Sequence, residues 1–152
     1  MEIERKFLID RNKLPKPLEE YSFHRIEQGY LCTEPVVRVR RQDEEYILTY
    51  KGKGMMVREE YNLPLTKEGY EHLLGKADGM ILTKDRYQIP LEDGNTVELD
   101  VFYGAYEGLY LAEVEFETEE RANYFEKPDW FTEEVTFDPK YHNSNMIQNR
   151  KV

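Results

Sequence analysis

The chain opens with the hexapeptide Met1-Glu2-Ile3-Glu4-Arg5-Lys6, in which charged side chains occupy every second position. Because side chains alternate between the two faces of an extended strand, Glu2, Glu4 and Lys6 point the same way if this stretch is a β-strand. Two carboxylates and an ammonium group on one face can hold a divalent cation beside an anionic oxygen. The hexapeptide therefore indicates a strand whose charged face suits phosphate chemistry.

Apolar and polar residues continue to alternate along the chain, which predicts seven further strands. The eight strands are placed at residues 2–9, 23–32, 36–41, 46–51, 57–63, 80–91, 96–103 and 109–117. Helices are predicted at residues 67–76, 119–125 and 140–148. We expect His142 on the surface of the last helix, and Trp130 and Phe131 as an anchor to the core. No repeat or linker divides the sequence, so residues 1–152 are interpreted as one domain.

Six of the predicted strands carry charged residues two positions apart on one face, and the sign of the charge is sorted by strand. The basic positions are Arg38/Arg40 and Lys84/Arg86, with Lys51 and Arg58 alone; the acidic sets are Glu98/Asp100 and Glu113/Glu115/Glu117; the mixed sets are Glu2/Glu4/Lys6 and Arg58/Glu60/Asn62. A row of carboxylates at this spacing repels itself unless a cation neutralises it. The sorting therefore favours a cation and a polyanion that meet on this face.

The opposite faces of these strands are apolar and must be covered by other parts of the chain, as for Val37/Val39 and Val97/Leu99/Val101. A mainly β (α+β) fold satisfies both faces. It is an eight-stranded antiparallel closed β-barrel with charges in the lumen and a few flanking helices outside. For any one strand taken alone, an open sheet with a solvated polar face is the simpler interpretation. The sorting of signs across several strands favours the barrel.

Composition restricts the ligands and partners. The net charge of -10 argues against general binding to nucleic acid. Cys32 is the only cysteine, and His24, His72 and His142 lie far apart, so a metal would be held by oxygen atoms, which suits Mg²⁺ or Mn²⁺. No apolar run approaches the roughly 18 residues that span a bilayer, and the N-terminus has no signal pattern. We expect a cytoplasmic protein that does not bind membranes.

Short segments spread over nearly the whole chain also match a known family in their order. They are Glu2-Ile3-Glu4-Arg5-Lys6, Gln28-Gly29-Tyr30-Leu31, Arg38-Val39-Arg40, Thr49-Tyr50-Lys51-Gly52, Arg58-Glu59-Glu60, Lys84-Asp85-Arg86-Tyr87, Glu98-Leu99-Asp100, Glu113-Val114-Glu115 and Tyr141-His142-Asn143-Ser144-Asn145. In this set the sequence resembles the CYTH family, also called triphosphate tunnel metalloenzymes, and is most similar to small standalone bacterial members. The resemblance implies an eight-stranded tunnel that binds a triphosphate and needs magnesium or manganese.

The resemblance also implies roles for individual residues. Glu2, Glu4 and Glu115 would be metal ligands, and Glu60, Glu113 and Asp100 would bind a second ion or orient its waters. The residues that would bind phosphate oxygens are Lys6, Arg38, Arg40, Lys51, Arg58, Lys84 and Arg86. Asn62 departs from the family, because many members have an acidic residue there. The number of bound metals and the preferred metal are therefore left open.

The expected reaction is an in-line attack of water on the terminal phosphorus, with the cations neutralising charge on the leaving diphosphate. The water could be activated by the acidic cluster around Glu60, Glu113 and Glu115. It could instead be activated by a lysine with a lowered pKa, for which Lys6 and Lys84 are candidates. Tyr30 could hydrogen-bond such a lysine or could simply pack in the core. The sequence does not separate these alternatives.

Inorganic tripolyphosphate is the favoured substrate, because the chain is minimal and shows no evident stacking pocket for a thiazole or an adenine. Thiamine triphosphate and ATP are alternatives, the latter for a class IV-type adenylate cyclase that would form cyclic AMP. A polyphosphate- or nucleotide-binding module without turnover is a further alternative. The sequence leaves open whether the protein forms a homodimer.

Overall fold

The computed structural model describes residues 1–148. Its strands are β1 Glu2–Ile9, β2 Phe23–Thr33, β3 Val36–Gln42, β4 Glu45–Lys51, β5 Val57–Arg58, β6 Glu60–Pro64, β7 Asp78–Pro90, β8 Thr96–Phe102, β9 Tyr110–Glu115 and β10 Phe131–Glu134. Its α-helices are α1 Lys67–Leu74, α2 Glu119–Tyr124 and α3 Asn143–Met146. Among residues 1–148, no helix has the length and apolar character needed to cross a membrane.

The strands form one antiparallel sheet that curls into a nearly closed barrel. Neighbouring strands follow the order β10-β1-β9-β8-β7-β2-β3-β4-β6. β5 then pairs with β1 through Glu2↔Arg58 and Ile3↔Val57, which brings the two sides of the sheet together. The predicted antiparallel barrel with a few flanking helices is confirmed, although the described residues contribute more than eight strands.

The additional strands arise where the barrel closes. The predicted strand over residues 57–63 is divided at Glu59, because β5 pairs with β1 whereas β6 pairs with β4. β10 is missing from the sequence prediction, because its four residues are too few to show alternation. It lies beside the second half of β1, where Phe7 is opposite Glu134. A pattern along one strand does not indicate which neighbour the strand will find.

The apolar exterior of β1, β8 and β9 is covered by α2 and the segment that follows it. Thr118 caps α2 by accepting a hydrogen bond from the backbone N–H of Arg121 at 3.1 Å. Trp130 and Phe131 are buried, and the ring centroid of Phe131 lies 4.7 Å from that of Phe7. The expected anchor at these two residues is confirmed.

Helix α1 covers another part of the exterior, against β2, β3 and β4. Thr66 caps it by accepting a hydrogen bond from the backbone N–H of Gly69 at 2.9 Å. Its approach to β2 requires glycine at position 29, because a Cβ there would lie 2.9 Å from Leu74 Cδ1 and 2.9 Å from Ala77 Cβ. The helix is two residues shorter than predicted and ends before Gly75.

The last predicted helix is broken, which corrects the sequence prediction for residues 140–148. A 3₁₀ turn at Pro139–Tyr141 is separated from α3 by His142, whose backbone is extended (φ -84°, ψ 128°). His142 is buried rather than on a helix surface, and its Nε2–H donates to the Thr136 carbonyl oxygen at 2.8 Å. That bond holds the break in place, so α3 starts in a new direction.

Helix α3 enters one end of the barrel. There Met146 and Ile147 pack in a buried apolar cluster with the inward-facing side chains Tyr30, Leu82 and Phe102. We call this cluster the plug. The plug fills one end of the lumen with apolar side chains, so the charged part of the lumen lies at the other end.

Candidate active site

The charged part of the lumen is a cavity of about 260 Å³. Its walls include Glu2, Glu4, Lys6, Tyr30, Arg38, Arg40, Lys51, Arg58, Glu60, Asn62, Lys84, Arg86, Glu98, Glu113, Glu115, His142, Asn143 and Ser144. All candidate site residues from the sequence line the cavity except Asp100, which is fully buried behind the wall. Glu117 lies beyond the end of β9 and is exposed, outside the cavity lining. The register of the strands thus brings residues from distant parts of the chain onto one inner surface.

Carboxylates gather at one side of the cavity. Glu2, Glu60 and Glu115 each offer an oxygen atom, and these oxygens lie within 4.8 Å of one another. Desolvation and the nearby charges of Glu2, Glu4 and other glutamates raise the pKa of Glu115 to about 7. We call Glu2, Glu60 and Glu115 the carboxylate trio. The three carboxylates repel one another, and a bound cation would neutralise that repulsion.

Lysines border the trio on two sides. Lys51 Nζ lies 3.1 Å from Glu2 Oε1 and 3.7 Å from Glu60 Oε2. Glu4 lies outside the trio, and its Oε1 is 3.3 Å from Lys6 Nζ. Glu4 and Glu115 are paired across β1 and β9, so the side chain of Glu4 remains next to the trio.

Glu113 and Asp100 are engaged by cationic side chains in the structure. Glu113 Oε2 lies 2.8 Å from Lys6 Nζ, and its Oε1 lies 3.3 Å from Arg86. Asp100 accepts two hydrogen bonds from Arg86, at 2.8 and 2.9 Å, and lies 2.7 Å from Lys84 Nζ. Burial alone would raise the pKa of both acids, but these positive charges outweigh it and lower both pKa values. Both carboxylates are therefore ionised at neutral pH.

Arginines on β3 form the opposite, basic wall. Burial, together with the nearby charges of Arg38 and Arg86, lowers the pKa of Arg40 to about 9. Arg38 donates to Thr49 Oγ1 at 3.1 Å, and its Nε has no hydrogen-bond partner within residues 1–148. A buried N–H without a partner next to a crowded set of cations indicates a site that an anion completes.

The two lysine candidates have different environments. The pKa of Lys6 is raised, because Glu113 and Glu4 outweigh the effect of its burial. Burial lowers the pKa of Lys84 to about 7. The charge of Asp100 raises this pKa, but the charges of Arg86 and Arg40 lower it again. Lys84 is thus the lysine that can be neutral near physiological pH.

Within residues 1–148, Tyr30 forms no hydrogen bond with Lys6 or Lys84. Its hydroxyl oxygen instead accepts a hydrogen bond from Gln28 Nε2 at 3.0 Å. Lys84 Nζ donates to Asn143 Oδ1 at 2.7 Å. Tyr30 lines the cavity and also belongs to the plug. It therefore both packs in the core and contributes to the wall of the site.

Three cavity residues come from the C-terminal segment and were missed by sequence reasoning. His142, Asn143 and Ser144 line the cavity because the chain breaks at His142 and α3 enters the barrel. They lie in a stretch that is predicted to be a surface helix. A helix does not show the alternation of polar and apolar residues from which the other site residues are predicted. Two signals could have drawn attention to them: the run of polar residues at 142–145 beside apolar Met146 and Ile147, and the family resemblance of the segment 141–145.

Comparisons with known proteins agree with this geometry. The sequence model of the family described as "CYTH domain" matches residues 1–145. An inorganic triphosphatase from Nitrosomonas europaea is 41% identical over 148 residues, which cover 95% of each chain. An inorganic triphosphatase from Acetivibrio thermocellus is 37% identical and covers 97% of this chain and 94% of its own. A crystal structure of an inorganic triphosphatase superimposes with a TM-score of 0.73 at 37% identity, covering 100% of this chain and 97% of the other.

Proposed function

The chain belongs to the CYTH domain family, and from that premise we propose that it is a metal-dependent enzyme that hydrolyses inorganic tripolyphosphate to diphosphate and phosphate. The observation that supports this most directly is the division of one 260 Å³ cavity into a carboxylate trio and a basic wall. A cation and a polyanion are the ligands that satisfy these two sides together. The relatives named inorganic triphosphatase support the choice of substrate.

The basic residues bind the phosphate chain in this proposal. Arg38 and Arg40 can donate to phosphate oxygens in a bidentate manner, because neither forms an ion pair with a carboxylate within residues 1–148. Arg58 donates two hydrogen bonds, at 3.2 and 3.1 Å, to the carbonyl oxygen of Gly52. This acceptor is uncharged, so the positive charge of Arg58 can still attract a phosphate. The remaining members of the set are Lys6, Lys51, Lys84 and Arg86.

Carboxylate oxygens are the donors that Mg²⁺ and Mn²⁺ prefer, so the trio and the adjacent Glu4 fit such an ion. When bound, the ion would supply positive charge to the phosphate oxygens. The raised pKa of Glu115 supports this assignment, because it reflects desolvation together with repulsion from neighbouring carboxylates, and a cation would remove the repulsion. For Glu113 and Asp100, which the family resemblance places near a second ion, we propose that they hold Lys6, Arg86 and Lys84 in position.

Hydrolysis needs a group that accepts a proton from the attacking water. We assign this role to the neutral form of Lys84, since its pKa of about 7 allows both charge states near neutral pH. The water oxygen forms a bond to the terminal phosphorus, the bond from phosphorus to the bridging oxygen breaks, and diphosphate leaves with the charge that the arginines stabilise. Glu60 and Tyr30 are proposed to orient groups in the cavity rather than to transfer the proton.

The cavity lining also bears on the choice among triphosphates. Val36, Ile47 and Tyr30 are the apolar side chains among the described residues that line it, and Tyr30 is only 2% exposed. Such a lining offers little surface on which an adenine or a thiazole ring can stack. The geometry therefore supports an inorganic substrate over ATP or thiamine triphosphate.

The experiment that tests the proposal compares phosphate release from tripolyphosphate, thiamine triphosphate and ATP, each with Mg²⁺, Mn²⁺ or EDTA. Cyclic AMP is assayed in the ATP reactions. We expect the fastest release from tripolyphosphate and none in EDTA. Turnover in EDTA would overturn the metal dependence. Cyclic AMP without free phosphate would identify a cyclase, and tight binding without turnover would identify a binding module.

A further inference from the structure

Asn143 joins the C-terminal segment to the basic wall of the cavity. It is the first residue of α3, it is 9% exposed, and it lines the cavity. Its Oδ1 accepts a hydrogen bond from Lys84 Nζ at 2.7 Å and a second from Gln28 Nε2 at 3.0 Å. One amide oxygen therefore receives donors from two different strands.

The orientation of these groups is fixed by which atoms can donate. Arg40 is only a donor, and its Nε donates to Gln28 Oε1 at 2.9 Å, so the NH₂ group of Gln28 must point the other way. That group donates to Asn143 Oδ1 and to the Tyr30 hydroxyl oxygen. The Lys84 ammonium is likewise only a donor when charged. Asn143 is thus the acceptor at the end of a chain that begins at Arg40.

We propose that Asn143 is a positioning residue, which acts in catalysis by fixing Lys84 and, through Gln28, Arg40. This inference rests on the proposed function, because it assumes that Lys84 and Arg40 act on a triphosphate. It assigns part of the active site to α3, which forms no part of the barrel wall. The C-terminal segment then orients reacting groups in addition to filling one end of the barrel.

If Asn143 had a purely structural role, replacing it would lower the stability of the protein rather than the reaction rate. A positioning role predicts the opposite. If its oxygen is removed, Lys84 keeps its contact with Asp100 and Gln28 keeps its contact with Tyr30. Each nitrogen atom keeps one partner and only one N–H of Gln28 loses its acceptor, so the loss of stability is limited. The position of Lys84 is then set by Asp100 alone, which draws the ammonium towards the wall. A shift of about 1 Å in a catalytic group can lower a rate by about 100-fold.

The test measures kcat and KM for tripolyphosphate in Asn143→Leu, which keeps the size of the side chain and removes the acceptor. We expect kcat to fall by about 100-fold with a smaller change in KM. Asn143→Asp keeps an acceptor oxygen, but its negative charge raises the pKa of Lys84, so it should recover part of the loss only at a higher pH. The matched control is Asn145→Leu, the same change two residues along α3. Asn145 is exposed and bonds to the backbone of Pro139, so wild-type kcat is expected.

A double-mutant cycle with Lys84→Ala distinguishes positioning from a general effect on the fold. If Asn143 acts through Lys84, Asn143→Leu should have little further effect on kcat once Lys84 is absent. Independent, additive losses would overturn the inference, as would wild-type kcat in Asn143→Leu. Should Asn143→Leu fail to fold by circular dichroism, Asn143→Ala replaces it in the cycle. An inactive wild-type enzyme would instead overturn the proposed function, and this inference with it.

Discussion

Lys6 and Lys84 show how burial and neighbouring charges give two lysines different pKa values and therefore different roles. Lys6 and Lys84 both face the cavity, and both are buried. Lys6 is surrounded by carboxylates, which raise its pKa, whereas Lys84 shares its site with Arg40 and Arg86 and has a pKa of about 7. Lys6 therefore suits a permanent positive charge that binds phosphate, and Lys84 suits proton transfer.

The first prediction concerns Lys84→Arg, which keeps the positive charge and removes the basic form. We expect kcat to fall by about 10²- to 10⁴-fold. Wild-type activity should rise as the pH increases through about 7, because Lys84 loses its proton there, and this rise should be absent in the variant. Stopped assays between pH 5.5 and 9 check both points.

The control for this variant is Lys67→Arg, on the exposed start of α1. It should have the kcat and pH profile of the wild type. If Lys84→Arg also retained wild-type kcat, the proton acceptor would have to be sought among Glu60, Glu113 and Glu115.

A second residue-scale prediction concerns Glu115 and the dependence of stability on pH. Its pKa is 4.5 in an unfolded chain and about 7 in the folded protein, so between these values the folded state binds more protons. Stability in EDTA should therefore decrease as the pH rises from about 4.5 to 7. Glu115→Gln should reduce this decrease and raise the melting temperature at pH 8 by a few degrees at most, because solvent screens the exposed side chain.

The same variant also tests the metal site. Mg²⁺ or Mn²⁺ should raise the melting temperature of the wild type, and this increase should be largely lost in Glu115→Gln. Glu117→Gln is the matched control, since Glu117 lies two residues further and outside the cavity lining. An equal metal-induced increase in Glu115→Gln and wild type would contradict the placement of the ion at the trio.

At the scale of elements, the contact between α1 and β2 depends on one missing side chain. A Cβ at Gly29 would meet Leu74 and Ala77 at 2.9 Å, closer than packed carbon atoms approach. Gly29→Ala should therefore destabilise the protein by about 1–3 kcal/mol, the usual cost of overpacking. Gly52→Ala is the control, because its added Cβ would meet Glu59 at an ordinary 3.6 Å.

Urea unfolding of these variants, with Gly29→Ala/Ala77→Gly as a third, measures the effect. The double variant should recover part of the loss, because it removes one of the three close contacts, those with Ala77, Leu74 and Ile81. Equal unfolding midpoints for Gly29→Ala and Gly52→Ala would show that α1 moves aside without cost.

Most elements follow from local patterns, and the exceptions share a physical cause. Arg38 and Arg40 alternate with apolar residues, which is enough to predict β3 and the face that carries the charges. The break at Glu59 and the strand β10 depend on partners far away in the sequence, and the turn at His142 depends on a hydrogen bond to the Thr136 carbonyl oxygen. Local periodicity contains no information about those partners. For the same reason, alternation places the charged residues of the barrel wall in the site but does not place Asn143 and Ser144 of α3 there.

At the scale of the whole molecule, the carboxylate trio and the arginines of β3 place like charges close together in a barrel whose other cavity charges are largely paired. Arg40 is a clear instance, since burial and two neighbouring arginines lower its pKa to about 9. Its charge therefore opposes folding at neutral pH. A polyanion that contacts several strands at once reverses this effect and stabilises the barrel as a unit.

This leads to a prediction with tripolyphosphate in EDTA, where no hydrolysis is expected. At a concentration of 100 times its Kd, the ligand should stabilise the wild type by about 2.7 kcal/mol. Arg40→Met should be at least as stable as the wild type without ligand, and should gain much less from tripolyphosphate. The adjacent Arg41→Met, whose side chain is exposed, should behave as the wild type in both measurements. A variant that lost stability and kept the full gain would contradict the role of Arg40.

The pairing of β1 also determines when the active site can come into existence during synthesis. β1 leaves the ribosome before every other strand, yet two of its partners, β9 and β10, begin only at Tyr110 and Phe131. The earliest-made strand, which carries Glu2, Glu4 and Lys6, is therefore among the last to be built into the sheet. A nascent chain that has not yet exposed Glu115 contains Glu2, Glu4 and Lys6 without the carboxylates of β9 that lie opposite Glu4 and Lys6. The enzyme should gain activity in a single late step, with no gradual increase as the chain grows.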